Sequence, residues 1–279
     1  MISASNQQRW QLITSTADAY ERYLVPSLFA PRAQRLVDLA APRAAARVLD
    51  VACGTGIVAR QVAARVGDRG AVVGVDLNHS MLQVAKVAAA DVAPSIRWHA
   101  GDAGALPFAD GDFDVVLCQQ GLQFFPDQAA ALREMHRVLG SRGRMAVSVW
   151  RDLGHSPGFH AMTAALARHA GADAAAVMRA PFSSGDAERL RELVAAAGFR
   201  QVRIRIDVGA VRFPSPEDFL RRQAAASPLA GRLHALEVDT WAALARDLRE
   251  TLRPHTDDDG VVFPIEAVVA TAHAAGRRS

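Results

Sequence analysis

The stretch VLDVACGTGIVA, residues 48–59, decides the fold. A short apolar run ends at Asp50, a glycine-spaced loop follows, and a helical pattern begins near Gly56. Short apolar, β-branched runs are typical of buried parallel strands. Glycines at positions 54 and 56 let the backbone turn sharply and approach a ligand, because no Cβ stands in the way. The stretch therefore predicts a strand, a tight turn that faces a ligand, and a helix.

Strand and helix patterns alternate for about a hundred residues around this stretch. We predict strands at 47–52, 71–76, 96–102, 113–120 and 143–150, and helices at 56–67, 80–91 and 127–140. Such alternation indicates a parallel sheet with helices on both faces. Ser80 and Asp127 are the predicted N-caps of the second and third of these helices.

The flanking regions are more helical. Residues 7–24 and 31–41 have helical patterns separated by Pro26 and Pro31. After residue 150 we predict helices at 158–171 and 186–199, a strand at 200–213, a mostly helical insertion at 214–258 and a last strand at 260–274.

These elements predict one α/β domain over residues 1–279. Its centre is a Rossmann-like, seven-stranded and mostly parallel sheet that reverses at its last strand. Residues 42–150 form the predicted core, residues 1–41 an N-terminal helical lid, and residues 151–279 the acceptor side with its C-terminal helical insertion.

Composition excludes several classes of protein. The 279 residues carry a net charge of +3, and Lys86 is the only lysine. Arginines alternate with acidic residues and form no basic stripe, so we expect no nucleic-acid partner. No apolar window is long enough for a membrane span, and no cluster of residues has the spacing of a metal site. Two cysteines are too few for a disulfide framework, which favours a cytoplasmic location.

Two cofactors compete for the predicted turn. GTGIVA also fits the dinucleotide pattern G-x-G-x-x-A, and Asp76, 20 residues after Gly56, would suit an NAD ribose. Asp50 distinguishes between the two cofactors, because a buried carboxylate beside the turn repels a pyrophosphate and attracts a cation. S-adenosylmethionine (SAM) carries a sulfonium and an ammonium group. The residues thus favour SAM over NAD(P).

Five motifs in series resemble those of class I SAM-dependent methyltransferases, and the nearest branch is the ubiquinone/menaquinone-biosynthesis type. The motifs are LDVACGTG (49–56), VVGVDLNHSML (72–82), GDAGALPF (101–108), FDVVLCQQGLQFFPD (113–127) and LREMHRVLGSRGRMAVSVW (132–150). In the family pattern D-x-G-x-G-x-G, Ala52 replaces the first glycine. The resemblance is strong over residues 40–150 and loose elsewhere.

The resemblance implies a cofactor site. The loop from Ala52 through Cys53 and Gly54 to Gly56 would cradle the methionine part of SAM, beside Asp50. Asp76 would accept hydrogen bonds from both ribose hydroxyls. The other implied contacts are Leu77 and Met81 to adenine, Gly101, Asp102 and Ala103 at the adenine amine, Cys118 and Gln119 along the methionine, and Tyr23 at the SAM carboxylate.

The catalytic group is harder to name. His155 follows the fifth predicted strand on the acceptor side and is the candidate base. Tyr20, in the segment that the resemblance makes a lid, and Gln119 are candidates for contacting the acceptor. Gln119, Gln120 and Gln123 stand in the loop after the fourth strand; glutamine cannot act as a base, but it can orient an acceptor oxygen.

The predicted activity is transfer of a methyl group from SAM to carbon or oxygen of a small organic molecule, with S-adenosylhomocysteine (SAH) as product. A quinone-like or polyketide-like acceptor is expected by resemblance. Aromatic residues of the acceptor-side segments favour an apolar acceptor: Trp10, Phe29, Trp150, Phe159, Phe182, Phe219 and Trp241. A SAM-binding scaffold without methyl transfer and an NAD(P)-dependent oxidoreductase stay open as alternatives, and so does a homodimer.

Overall fold

The structure of the protein, a computed structural model, describes residues 12–274. Its strands are β1 Arg47–Val51, β2 Ala71–Asp76, β3 Ile96–Ala100, β4 Phe113–Gln119, β5 Leu139–Trp150, β6 Arg200–Phe213, β7 Thr256–Asp257 and β8 Gly260–His273. They form one sheet in the order β3-β2-β1-β4-β5-β8-β6, with β7 paired to β8.

The first five strands are parallel, and β8 runs antiparallel to both β5 and β6. This confirms the predicted α/β sheet with its reversal at the last strand. The structure has eight strands instead of seven, because Thr256 and Asp257 turn back on the start of β8 as a short hairpin. The order reverses beside β1, so the carboxyl ends of β1, β2 and β4 meet where such sheets bind ligands.

Eleven α-helices surround the sheet within residues 12–274. They are α1 Thr14–Ala19, α2 Ala30–Ala40, α3 Ile57–Val66, α4 His79–Ala88, α5 Gln128–Arg137, α6 Pro157–His169, α7 Ala172–Arg179, α8 Ala187–Ala196, α9 Pro216–Ala225, α10 Ala230–His234 and α11 Val238–Leu252. Helix α1 continues into π-helical turns over Tyr20–Phe29, which run directly into α2.

The N-terminal helical run differs from its prediction. The sequence predicts a break at Pro26 and Pro31, but the chain stays helical from Thr14 to Ala40. Pro26 lies inside the π-helical turns, and Pro31 occupies the first turn of α2. Pro31 thus stands at the junction of the π-helical turns with α2, where the hydrogen-bond register changes. The part of the predicted helix before residue 12 lies outside the described residues.

The predicted N-caps have different outcomes. Asp127 caps α5, where its side chain accepts a hydrogen bond from the N–H of Ala130 at 2.8 Å. Ser80 does not cap α4. That helix begins one residue earlier, and Asn78 caps it by accepting from the N–H groups of Ser80 and Met81. An asparagine side chain fits this position as well as a serine does.

The core has three clusters of buried apolar side chains. One lies between the sheet and helices α2 and α3, and a second between the sheet and helices α5 and α8. The third joins the N-terminal helical run with helices α6, α7, α9, α10 and α11. It also includes the upper ends of β6 and β8, around Phe159, Phe213, Phe219 and Phe263. The last cluster fixes the predicted insertion over the carboxyl edge of the sheet.

The turn after β1 needs left-handed backbone at three positions. Gly54 has φ of +55° and Gly56 has φ of +84°, and Ala52, at the place of the first motif glycine, has φ of +54°. A Cβ at Gly56 would overlap the Trp98 indole, whereas a Cβ at Gly54 would meet no heavy atom within 4 Å. A Cβ at Gly121 would overlap the methyl group of Ala52. Trp98 therefore packs closely against one side of the turn, and Gly121 packs closely against another.

Gly54 and Gly56 form a matched pair for mutation. Gly54→Ala should lower the free energy of unfolding by about 1 kcal/mol, because alanine is strained at positive φ. Gly56→Ala should cost a further 1–3 kcal/mol or so, because Trp98 must move as well. Urea unfolding of both variants checks this difference. Equal losses would contradict the packing of Trp98 on Gly56.

Candidate functional site

A cavity opens at the carboxyl ends of β1, β2 and β4, where the strand order reverses. Ten of the predicted site residues line it: Tyr20, Ala52, Gly54, Asp76, Leu77, Met81, Gly101, Asp102, Ala103 and Gln119. They come from four separate loops and from the N-terminal helical run. The fold thus brings together most of the predicted site.

Apolar walls complete the cavity. Leu12, Leu24 and Leu28 contribute from the N-terminal segment, and Met178 comes from helix α7. Of the aromatic residues predicted for the acceptor pocket, Phe29, Trp150, Phe159 and Phe182 line this cavity.

The other three predicted aromatic residues have different positions. Phe219 is fully buried in the neighbouring core, where its ring packs against Phe213 and Phe263. Trp241 packs partly buried against the same core and does not line the cavity. Trp10 lies outside the described residues. The cavity wall is therefore aromatic, but from fewer side chains than the sequence predicts.

Asp76, at the end of β2, is held in place by backbone donors. One carboxylate oxygen accepts from the N–H of Gly54 and the other from the N–H of Asn78, both at 2.8 Å. Burial raises the pKa of the Asp76 carboxyl, and these N–H groups oppose the rise. Each oxygen keeps a further lone pair. The carboxylate can therefore accept two more hydrogen bonds from a diol in the cavity.

Asp50 lies beneath the turn and does not line the cavity. Its carboxylate accepts from the N–H of Ala59 at 3.1 Å, in the first turn of α3. Burial raises the pKa of the Asp50 carboxyl to about 8, the Ala59 N–H opposes this, and the charge of Asp76 adds to it. Asp50 thus lies behind the cavity wall, without direct contact with the cavity.

Cys53, Gly56 and Cys118 are also outside the cavity lining, in contrast to their prediction as contacts. Both cysteines are free and buried. Burial raises the pKa of the Cys118 thiol to about 12 and raises the pKa of the Cys53 thiol as well. Both thiols therefore stay protonated and serve as small packing groups behind the turn, while the Trp98 ring covers Gly56.

The two tyrosines of the N-terminal run point to different places. Tyr20 lines the cavity, and burial, followed by the charges of Glu21, Asp76 and Asp50, raises the pKa of its phenol well above 10. The phenol is therefore neutral at physiological pH and can donate a hydrogen bond. Tyr23 does not line the cavity; the guanidinium groups of Arg22 and Arg222 lie 5.4 Å and 5.6 Å from its ring centre. The predicted SAM contact of Tyr23 is not present in this arrangement.

His155 is outside the cavity lining. It lies in a short helical turn after β5, with its ring nitrogens 3.6 Å from Asp152 and 3.8 Å from Glu266. The predicted general base is therefore directed toward surface carboxylates and does not reach the cavity. Its position after β5 is correct, but the turn carries the ring outward.

Polar contacts hold the N-terminal run against the cofactor side of the cavity. The Asn78 amide donates to the backbone carbonyl of Leu12 at 3.0 Å. Arg60 of α3 forms an ion pair with Glu21 at 2.7 Å, and Gln119 donates to the carbonyl of Phe29 at 3.0 Å. Because Asn78 also hydrogen-bonds to Asp76, the N-terminal segment and the cofactor loop are directly linked.

Sequence reasoning missed several residues of the site. Gln223, in the insertion, and Ser227, just after α9, line the cavity although no motif marks them.

Within residues 12–274, no group of three or more histidine, cysteine or acidic residues could hold a metal ion. None of the helices in this range has the length and hydropathy to cross a membrane.

Comparison with known proteins identifies the central part of the chain. Residues 48–143 match the family described as "Methyltransferase domain". The ubiquinone/menaquinone biosynthesis C-methyltransferase UbiE of Shewanella frigidimarina is 40% identical over 113 residues, which are 40% of this chain and 45% of that protein. The chain thus spans less than half the length of the curated relatives it matches.

Solved structures resemble the whole chain in fold. Phosphoethanolamine N-methyltransferase 2 of Haemonchus contortus, in complex with SAM, matches with a TM-score of 0.62 at 18% identity, over 99% of this chain and 60% of that one. The (4+2)-cyclase SpnF matches with a TM-score of 0.52 at 22% identity, over 88% and 81% of the two chains. Residues 48–143 thus match a methyltransferase domain, and the sheet order and the cavity at its switch point agree with the class I, SAM-dependent type that this match indicates.

Proposed function

We propose that the protein binds SAM in this cavity and transfers its methyl group to carbon or oxygen of a small organic acceptor. The proposal rests on the sign of the charged side chains at the cavity. Asp76 and Asp102 line the cavity, Asp50 lies beneath it, and no lysine, arginine or histidine among residues 12–274 lines it. Such a site favours a sulfonium cation and disfavours the pyrophosphate of NAD(P).

The cofactor supplies the reactive group, and the protein supplies position and a water-poor site. The acceptor attacks the methyl carbon in line with the carbon–sulfur bond, the sulfur keeps the bonding electrons, and SAH leaves as a neutral thioether. Alignment and exclusion of water are the main contributions that a protein makes to such a displacement. The apolar walls around Phe29, Trp150 and Phe182 suit both roles.

We assign no general base. Tyr20 is the titratable residue by which the described part of the N-terminal run lines the cavity, and the raised pKa of its phenol keeps it neutral. The role proposed for Tyr20 and Gln119 is therefore to orient the acceptor and the cofactor. An acceptor with an acidic hydroxyl, such as a quinol, would bind neutral and pass its proton to water as the methyl group is transferred, so it needs no strong base. The UbiE name of the relatives supports a quinone-like acceptor over other small molecules.

A direct test is turnover with methyl-labelled SAM and a lysate of the source cells, followed by a search for labelled small molecules and for SAH. Formation of both supports the proposed activity. A second candidate is a SAM-binding scaffold that catalyses without methyl transfer, favoured by the absence of a histidine, lysine or carboxylate among the described lining residues after residue 119. Tight SAM binding without any SAH would favour that candidate. A cytoplasmic location and a homodimer stay predictions.

Asp76→Asn should weaken SAM binding by about 1–3 kcal/mol, because the ribose diol loses one strong acceptor. Isothermal titration calorimetry measures the change. Asp114→Asn is the matched control, since Asp114 also accepts a backbone N–H, from Arg47 at 2.8 Å, but lies outside the cavity. An unchanged dissociation constant for the Asp76 variant would remove that residue from the site.

Asp50 should make SAM binding dependent on pH. In the free protein its pKa of about 8 keeps the carboxyl neutral near pH 7. A bound sulfonium lowers this pKa, so a proton is released on binding, and SAM affinity rises with pH until about pH 8 and then levels off. Calorimetry in buffers of different ionisation enthalpy measures the proton release. Asp50→Asn should reduce it, whereas equal release in both proteins would refute the role of Asp50.

A further inference from the structure

The part of the cavity wall contributed by residues after 119, here called the acceptor end, has no charged side chain within residues 12–274. Its lining after residue 119 is Gln120, Gly121, Gln123, Phe124, Phe125, Trp150, Phe159, Met178, Pro181, Phe182, Gln223 and Ser227. An ionic acceptor would lose its hydration here without gaining a partner of opposite charge. This end therefore disfavours charged molecules of either sign.

Two glutamines at this end have buried amide atoms without a partner. Gln123 is 0% exposed and Gln223 is 3% exposed. Among residues 12–274, Oε1 of Gln123 and Nε2 of Gln223 have no hydrogen-bond partner. Leaving a buried polar group unpaired is unfavourable, so such atoms in a cavity wall point to a ligand that pairs with them.

Gln123 is held in its orientation by a short chain of hydrogen bonds. Its Nε2 donates to Oε1 of Gln120 at 3.3 Å, and Nε2 of Gln120 donates to the hydroxyl of Ser148 at 3.4 Å. Gln120 itself has left-handed backbone with φ of +53°. The turn Leu122–Phe124 packs against the turn Ala180–Phe182, another wall of the cavity. The free acceptor atom of Gln123 is thus fixed beside apolar surface.

Gln223 approaches from the insertion. It lies on α9, which packs against the π-helical turns Tyr20–Phe29 of the N-terminal run. Its neighbour Ser227 accepts from the N–H of Leu229 at 3.3 Å, which leaves the hydroxyl hydrogen free to donate. The insertion therefore presents donors to the cavity, and the turn after β4 presents an acceptor.

We propose that Gln123 and Gln223 select an uncharged, largely apolar acceptor that carries a hydroxyl or N–H group and a carbonyl or ether oxygen. The hydroxyl donates to Oε1 of Gln123, and the oxygen accepts from Nε2 of Gln223. Aromatic walls from Trp150, Phe159 and Phe182 hold the apolar body. This assignment of the acceptor class rests on the proposed SAM-dependent function of the same cavity.

The test uses the full chain saturated with SAH and three naphthalene probes of similar size. They are 6-hydroxy-2-acetylnaphthalene, which is neutral with a hydroxyl and a carbonyl, 2-naphthoate, an anion, and 2-naphthylmethylammonium, a cation. The neutral probe should bind at least about tenfold more tightly than either ion, because an unpaired charge is costly to bury. Equal or tighter binding of an ion, or no saturable binding of the neutral probe, would overturn the assignment.

Gln123→Met and Gln223→Met should each weaken binding of the neutral probe by about five- to tenfold. The melting temperature without ligands should stay the same or rise for Gln223→Met, since its Nε2 already lacks a partner. Gln61→Met is the matched control: Gln61 also has a buried, unpaired Oε1 but lies outside the cavity lining. Unchanged probe affinity in both cavity variants would overturn the selective role.

Binding of SAH tests the proposed function separately from the proposed acceptor class. It should be the same within about twofold in all three variants, because none of these glutamines belongs to the cofactor contacts. If the unmodified protein does not bind SAH, the proposed function fails. If it binds SAH and the probes do not discriminate by charge, only the acceptor class fails.

Discussion

The site depends on the carboxylate of Asp76. Its two oxygens accept from Gly54 in the turn after β1 and from Asn78 at the start of α4, so one side chain fixes two neighbouring loops. Asn78 in turn caps α4 and donates to the carbonyl of Leu12. The cofactor loop and the start of the N-terminal run are therefore positioned by one connected set of hydrogen bonds. Burial of such a network strengthens it and makes each missing partner expensive.

The two ends of the cavity differ in charge. The carboxylates of Asp76 and Asp102 line the end formed by the first strands, and Asp50 lies beneath it. Burial, and then the charge of Asp76, raise the pKa of the Asp50 carboxyl, and a cation bound nearby would lower it. The other end offers aromatic rings and glutamine amides. This difference is what the proposed binding of a charged cofactor and a neutral acceptor in one cavity requires.

Local sequence patterns predict those site residues whose place at a strand end already decides where they lie in the fold. The strand ends at Asp76 and Asp102 place their residues in the cavity, because the carboxyl ends of parallel strands share one edge. Prediction is less successful where a side chain can turn either way. His155 and Tyr23 are on correctly predicted segments, yet local turn geometry and the packing of Arg222 direct them elsewhere. Gln223 could not be found from a motif, since only the folding of the insertion onto the N-terminal run brings it to the cavity.

Ala52 limits which substitutions the turn after β1 and its neighbour Gly121 can accept. Its methyl group stands where a motif glycine would leave space, and it fills the volume that a side chain at Gly121 would need. The two positions, 69 residues apart, therefore share one small space between adjacent strand ends. A side chain at position 121 would demand glycine at position 52, whereas a larger side chain at position 52 could not be relieved at position 121, which is already glycine.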